Sequence, residues 1–320
     1  MQILRDVQDL VPGPGHAVTI GTYDGVHIGH QTVIASTGRL AAERGLRTAV
    51  VTFHPHPAAV LRPESAPLML TDIDQRLDLL ARAGVDTTLV VDFDVDQATE
   101  TAEDFVRRVL VEWLTAKVIV VGDDFHFGKG REGNVELLND LGRRFDFEVV
   151  GLDLLPHPDR ADVSVSSTAL RRAVADGDVI AASRLLGRYH EVRGPVVTGD
   201  QRGRTIGFPT ANVAVPRDRA LPGDAVYAAW YLRPDGSIHP SAVNIGKRPT
   251  FYDNAEHSLM EAHLIDFDGD LYGEPARVCF VEKLRGERRF DGIEALRAQL
   301  ADDIVEARAV LDRATPPDQG

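Results

Sequence analysis

The 320-residue chain carries 35 Lys and Arg against 49 Asp and Glu, a formal charge of −14, with 43% hydrophobic and 26% charged residues. This describes an ordinary globular chain of about two domains, and without any run of Lys and Arg it excludes bulk capture of a nucleic-acid backbone. A polyanionic small molecule would have to be held by local groups: backbone N–H, a few Arg or His side chains, or Mg2+.

Cys279 is the single cysteine, so no internal disulfide and no Cys-based metal cluster can form. Its neighbours in "RVCFVEKL" read as a strand that packs it in the core. The N-terminus lacks a basic segment followed by an apolar one, and no apolar stretch approaches the roughly 20 residues that span a bilayer. The expected location is the cytoplasm, with no membrane partner.

Five apolar runs rich in β-branched residues come first: "AVTIG" (17–21), "TAVVTF" (48–53), "TTLVVDF" (87–93), "KVIVVG" (117–122) and "FEVVGLD" (147–153). Their near-continuous hydrophobicity predicts parallel strands buried on both faces. Helical patterns lie between them. Thr71-Asp72-Ile73-Asp74 and Thr101-Ala102-Glu103-Asp104 each place a hydroxyl three residues before a carboxylate, as at a helix N-terminus. The alternation predicts a doubly wound α/β layer whose ligands bind beyond the carboxyl ends of the strands.

After Gly187 the chain breaks into short segments punctuated by Gly, Pro and Asp, which predict an antiparallel β domain, a small barrel. A closing amphipathic helix follows, with Ile293, Leu296, Leu300, Ile304, Ala307 and Leu311 on its apolar face. The expected domains are 1–187 and 188–320.

Three stretches carry chemistry. In "IGTYDGVHIGH" (20–30), a strand turns into a helix expected to begin near His30, and Gly21, Gly25 and Gly29 permit close backbone approach. His27 and His30, three apart, can face the same way and donate to phosphate oxygens. Zinc is the other use of paired histidines, but no Glu holds the HExxH position and no third ligand is near, so an anion is preferred. In "VSVSSTALRRA" (163–173), Ser166, Ser167 and Thr168 read as the cap of a helix carrying Arg171, either around an anion or as an ordinary cap with a solvated arginine. In "GDQRGRTIGFPTANV" (199–213), Gly-rich turns around Gly203 precede Thr210 and Asn212, two hard oxygen donors on one face of an extended segment. Taken alone, that stretch also reads as a hairpin with a Pro-containing turn.

HxGH after the first strand, together with a late SSTxxR, resembles the nucleotidylyltransferase superfamily. More closely, "GTYDGVHIGHQ", "VVGDDFHFGKGREGN" (120–134), "VSSTALRRAVADGDVIAASRLLGR", the PTAN signature, "VNIGKRPTF" (243–251), "EAHLIDFDGDLYG" (261–273) and "EKLRGERRF" (282–290) resemble the bacterial bifunctional riboflavin kinase and FAD synthetase. The likeness covers nearly the whole chain. It implies a Rossmann-like N-terminal domain that joins FMN to the AMP part of ATP, releasing pyrophosphate. It also implies a C-terminal barrel that phosphorylates riboflavin to FMN with Mg2+ and ATP.

By that resemblance Gly21, Asp24, Gly25, His27, His30, His56 of "FHPHP" (53–57), Asp124, Ser166, Ser167, Thr168 and Arg171 surround the ATP phosphates of adenylyl transfer, with His27, His30 and Arg171 acting on them. Phe127 is implied beside flavin, where a core phenylalanine is the plainer reading. In the kinase half Gly203, Thr210 and Asn212 are implied to bind Mg2+ and ATP, and Glu261 to be the base, where an edge-strand surface glutamate is the plainer reading. Arg285 and Arg289 are implied near flavin or nucleotide, or are solvated. Tyr23 stands where the family usually has Phe, and His126 interrupts its DFxFG stretch. The rival readings are a riboflavin kinase with a degenerate nucleotide-binding module and a non-catalytic flavin sensor.

Overall fold

The computed structural model of the protein describes residues 1–5, 13–199, 202–246 and 257–318. Its packing divides into Met1–Pro67 with Thr71–Ser166, and Leu68–Leu70 with Ser167–Gly320. Residues 247–251 of "VNIGKRPTF" lie outside the described residues.

In the first unit six parallel strands form one sheet: β1 (Gln2–Leu4), β2 (His16–Ile20), β3 (Arg47–His54), β4 (Thr87–Asp92), β5 (Ala116–Gly122) and β6 (Glu148–Leu152), in the order β1-β4-β3-β2-β5-β6. Every residue of β2 is buried, which is why its sequence shows no polar alternation. The helices α1 (Ile28–Arg44), α2 (Pro57–Leu61), α3 (Ile73–Arg82), α4 (Ala102–Phe105) and α5 (Val135–Phe145) fall between the strands. Leu40 and Ala41 of α1 cover Ala17, Val118 and Val120. Phe105 of α4 and Leu138 and Leu141 of α5 cover the other face through Val18, Ile119 and Val121. β7 (Pro156–His157) and β8 (Arg160–Ser164) pair as a small hairpin.

The expected strands are all present, and the sheet has a sixth, β1, too short to be legible. Chain order reverses at β2, which lies between β3 and β5, so the crevice beyond the carboxyl end of β2 is where such a sheet binds ligands. Helix α1 begins at Ile28, two residues before the expected start, because the His27 ring is the cap: its Nδ1 accepts the His30 N–H at 3.2 Å. Asp72, and not Thr71, caps α3. Thr101 caps α4 as its spacing predicts, accepting from the Asp104 N–H at 3.1 Å. Beyond Phe105 the helix widens into π-type turns over Val106–Trp113.

The second unit opens with α6 (Ser167–Ala175) and α7 (Val179–Leu186), then forms a closed antiparallel barrel. Its strands are β9 (His190–Val197), β10 (Ala211–Pro216), β11 (Ala225–Leu232), β12 (Ile238–Ile245), β13 (His257–Leu264) and β14 (Pro275–Gly286), ordered β10-β13-β12-β11-β14-β9. A short α8 (Arg202–Thr205) precedes β10, and α9 (Ile293–Leu311) closes the chain. Val213, Tyr227, Val243, Met260 and Phe280 fill the interior. Alternate residues point outward, and Trp230, Leu232 and Cys279 are covered by Ala307, Val310 and Leu311 of α9. Ile293, at the start of the predicted apolar stripe, is 59% exposed instead. Among the described residues no helix is long and apolar enough to cross a membrane.

Arg285 of β14 holds Asp303 of α9 in a two-pronged contact, Nε to Oδ1 at 2.8 Å and Nη2 to Oδ2 at 2.7 Å, with the Asp303 side chain 2% exposed. Removing one member of a buried pair strands the other. Asp303→Ala is therefore expected to cost about 3 kcal/mol, read as a lower denaturant midpoint for the barrel's unfolding transition.

Candidate active sites

The first site forms where β2 ends. Thr22 to Val26 make a tight elbow with φ of +50° at Tyr23, +83° at Gly25 and +40° at Val26. Left-handed backbone costs a non-glycine residue roughly 1–2 kcal/mol, so surrounding contacts must enforce it. Thr71 donates to Asp24 Oδ1 through both its N–H and its hydroxyl, each at 3.0 Å, and its oxygen accepts the Gly25 N–H at 3.2 Å. Gln31 donates to the Val26 carbonyl at 2.9 Å, and the Thr52 hydroxyl to that of Thr22 at 3.0 Å. Arg76, 2% exposed, reaches Thr52 and the Phe53 carbonyl from below.

Knitted this way, the elbow presents two histidines at the first turn of α1. Their rings stack with centroids 3.6 Å apart and 16° between planes; His27 is 5% exposed and His30 partly exposed. Gly29 makes room, since a Cβ there would stand 3.2 Å from His27 Nδ1. Two imidazoles beside a helix N-terminus, at the sheet's switch point, suit an anion.

Asp24 does not face outward as a phosphate-binding role would need; with 0% exposure it is the clamp of the elbow. His56 caps α2, its Nδ1 accepting the Ala58 N–H at 3.1 Å. His54, beside it, has its pKa lowered by burial and by the charges of Arg76 and Arg5. Asp124 is exposed just past β5. Phe127 is 7% exposed and exchanges backbone hydrogen bonds with Gly133, which makes it core. Phe125 stacks on it at 5.3 Å, and Phe53 packs on Phe93 at 5.9 Å and Phe105 at 6.2 Å. Phe53, near the end of β3, and Phe125, just past β5, are both partly exposed and connected through Phe105 and Phe127, a chain of rings that motif reading missed.

Ser166 closes the first packing unit, while Ser167, Thr168 and Arg171 belong to α6 of the second. Arg171 Nε donates to the Leu68 carbonyl at 2.7 Å.

The second site is a row on the outer face of the barrel. Glu261 of β13 lies in register with Asn212 of β10 on one side and Asn244 of β12 on the other. Their neighbours Val213, Met260 and Val243 point inward, so all three polar side chains point out. Asn212 is only 6% exposed, because the turn at Gly199 lies against it and leaves no room for a Cβ beside its Nδ2. His263 pins the adjoining loop, its Nδ1 lying 2.7 Å from the Pro209 carbonyl, and Thr210 follows, partly exposed. Gly203 receives the Phe208 N–H on its carbonyl at 2.8 Å. Asn244 was not anticipated, because only strand pairing brings it beside Glu261. Arg285, expected near flavin or nucleotide, has its fork engaged by Asp303; Arg289 is exposed.

A family model described as FAD synthetase matches residues 12–169, and one described as riboflavin kinase matches residues 186–311. The bifunctional riboflavin kinase/FMN adenylyltransferase of Escherichia coli is 38% identical over 318 residues, 99% of this chain and 100% of that protein. Its counterpart from Listeria monocytogenes is 38% identical over 295 residues, 91% of each chain. A crystal structure described as a macrolide-efflux protein from Streptococcus pneumoniae superposes with a TM-score of 0.83 at 32% identity, covering 96% of this chain and 98% of that one.

The Asp24 clamp is open to measurement. Thr71→Val keeps the side chain's shape but removes a donor from a buried carboxyl group, so it is expected to lower stability by about 1–3 kcal/mol in denaturant unfolding of the first unit.

Proposed function

The chain belongs to the family of bacterial bifunctional riboflavin kinase/FMN adenylyltransferases, and from that premise we propose how its residues divide the two reactions. It phosphorylates riboflavin to FMN and joins FMN to the AMP part of ATP, yielding FAD and pyrophosphate. Matches over both halves of the chain decide against the kinase-only and sensor alternatives.

Adenylyl transfer uses the elbow. A phosphate oxygen of FMN attacks the α-phosphorus of ATP and pyrophosphate leaves, so the reaction needs alignment and charge stabilisation but no protein nucleophile. His27, His30 and the first N–H groups of α1 meet the phosphates, with Gly21 and Gly25 allowing close approach. His56, Asp124, Ser166, Ser167, Thr168 and Arg171 are assigned to the same nucleotide. Asp24 contributes by holding the elbow. The flavin ring is assigned to the partly exposed Phe53 and Phe125, with Phe127 as their buried support.

Phosphorylation of riboflavin uses the barrel row. Glu261 takes the proton of the ribityl 5′-hydroxyl as that oxygen attacks the γ-phosphorus and ADP leaves. Thr210 and Asn212 would offer neutral hard oxygens to Mg2+. Bound there, Mg2+ offsets phosphate charge. Gly203 lies in the turn assigned to ATP, and Arg289 is the remaining candidate for flavin. The functional boundary is drawn at Gly187, the left-handed cap of α7 (φ +69°), and the enzyme is placed in the cytoplasm.

The observation that carries this division is that the histidine pair lies in one packing unit, and the Asn212–Glu261 pair in the other. In a mixture of riboflavin, ATP and Mg2+ resolved by chromatography, His27→Ala is expected to cut FAD formation about 100-fold while FMN accumulates at the unaltered rate. Glu261→Ala is expected to cut FMN formation about 100-fold or more yet convert supplied FMN to FAD. Loss of both activities in either folded variant would refute the division.

A further inference from the structure

A third ring lies against the histidine pair. The centroid of Tyr23 is 4.9 Å from that of His30, with the planes tilted by 54°. At 2% exposure Tyr23 is too buried to touch a substrate, so any effect on the reaction passes through its neighbours, of which the His30 ring is the one at the site. Its backbone is held at φ +50° by the clamped elbow, and its ring packs among Val26, Ile34, Val50 and Leu80.

The phenol is fixed at its far end as well. Tyr23 Oη and Thr19 Oγ1 lie 2.6 Å apart, and Thr19 is itself 1% exposed within β2. Burial pushes the phenol pKa well above its ordinary value, with the Thr19 contact opposing, so the hydroxyl stays neutral and can donate. The ring passes over Gly21, where a Cβ would stand 3.2 Å from Tyr23 Cε2. Backbone, hydroxyl and ring face are thus all constrained, although an aromatic side chain needs only one of these to be buried.

A histidine ring turns about a broad, soft χ2. His27 is fixed by its capping bond to the His30 N–H. The His30 ring meets two others, His27 stacked at 3.6 Å and Tyr23 tilted at 4.9 Å, so its rotation is limited by both contacts. We propose that the Tyr23 ring is a positioning element for adenylyl transfer, setting the His30 ring against the capped His27 ring and toward the phosphates of ATP. The proposal rests on the reading that those histidines serve ATP.

The two activities of the chain provide an internal control. Tyr23→Leu is expected to lower kcat for FAD formation roughly 10- to 100-fold, with KM for ATP changed by less than about twofold and with riboflavin kinase activity intact. Tyr23→Phe, which keeps the ring, is expected to restore kcat to within about threefold of the wild type, as is Thr19→Val, which removes only the anchor. His30→Ala is measured alongside. If it leaves FAD formation intact, the reading beneath the proposal falls, and Tyr23 with it. If His30→Ala is inactive while Tyr23→Leu matches the wild type, the histidine reading stands and the positioning role is wrong. Equal losses in Tyr23→Leu and Tyr23→Phe, or a parallel fall of FAD formation and kinase activity, also overturn it; should Tyr23→Leu fail to fold, Tyr23→Met, which also removes the ring, is judged on the same criteria.

Discussion

A carboxyl group with no exposed surface is tolerated only where donors replace water, and Asp24 meets that condition through the N–H and hydroxyl of Thr71. The rest of the first site depends on this contact. It fixes a turn with left-handed backbone at Tyr23 and Val26, a conformation a β-branched residue almost never adopts unaided. The turn in turn sets the first residues of α1 and the stacked rings. Strain at the elbow is offset by hydrogen bonds from elements distant in sequence, the arrangement expected where a site must be held rigid before its ligand arrives.

The barrel solves the same problem by alternation. Because successive strand residues face opposite sides, the interior row at Val213, Met260 and Val243 obliges Asn212, Glu261 and Asn244 to face outward. A register slip of one residue would bury the polar row and expose the apolar one, so the packing that stabilises the barrel also fixes the site. Neither site is built on a freely chosen loop geometry; each inherits its precision from a neighbouring core.

Much of the fold was legible because the strands of the first unit are continuous β-branched runs, which have few competing readings. The histidine pair was legible because its members are three residues apart in a turn between recognisable elements. What escaped has a common cause in tertiary contact. The start of α1 was misplaced because a histidine ring serves as the cap in place of the usual Ser, Thr, Asp or Asn. Thr71 looked like a cap, but its hydroxyl is drawn to Asp24, 47 positions away. Asn244 joins Glu261 only through the pairing of β12 with β13. Arg285 resembled a ligand contact until Asp303, 18 positions on, occupied its fork.

The change of sequence texture near Gly187 and the division of packing do not coincide. Helix α7 buries Val179, Ala182, Leu185 and Leu186, and it packs on β9 and β14 of the barrel. Dividing the gene at Gly187 would therefore send an amphipathic helix out with the wrong partner, its oily stripe open to water and prone to self-association. Dividing it after Ser166 would keep that stripe covered but cut Ser167 and Thr168 from the FAD synthetase match, which runs to residue 169. Fusion of the two enzymes in one polypeptide is thus more than a tether: the FAD synthetase match runs on past the point where the second packing unit begins.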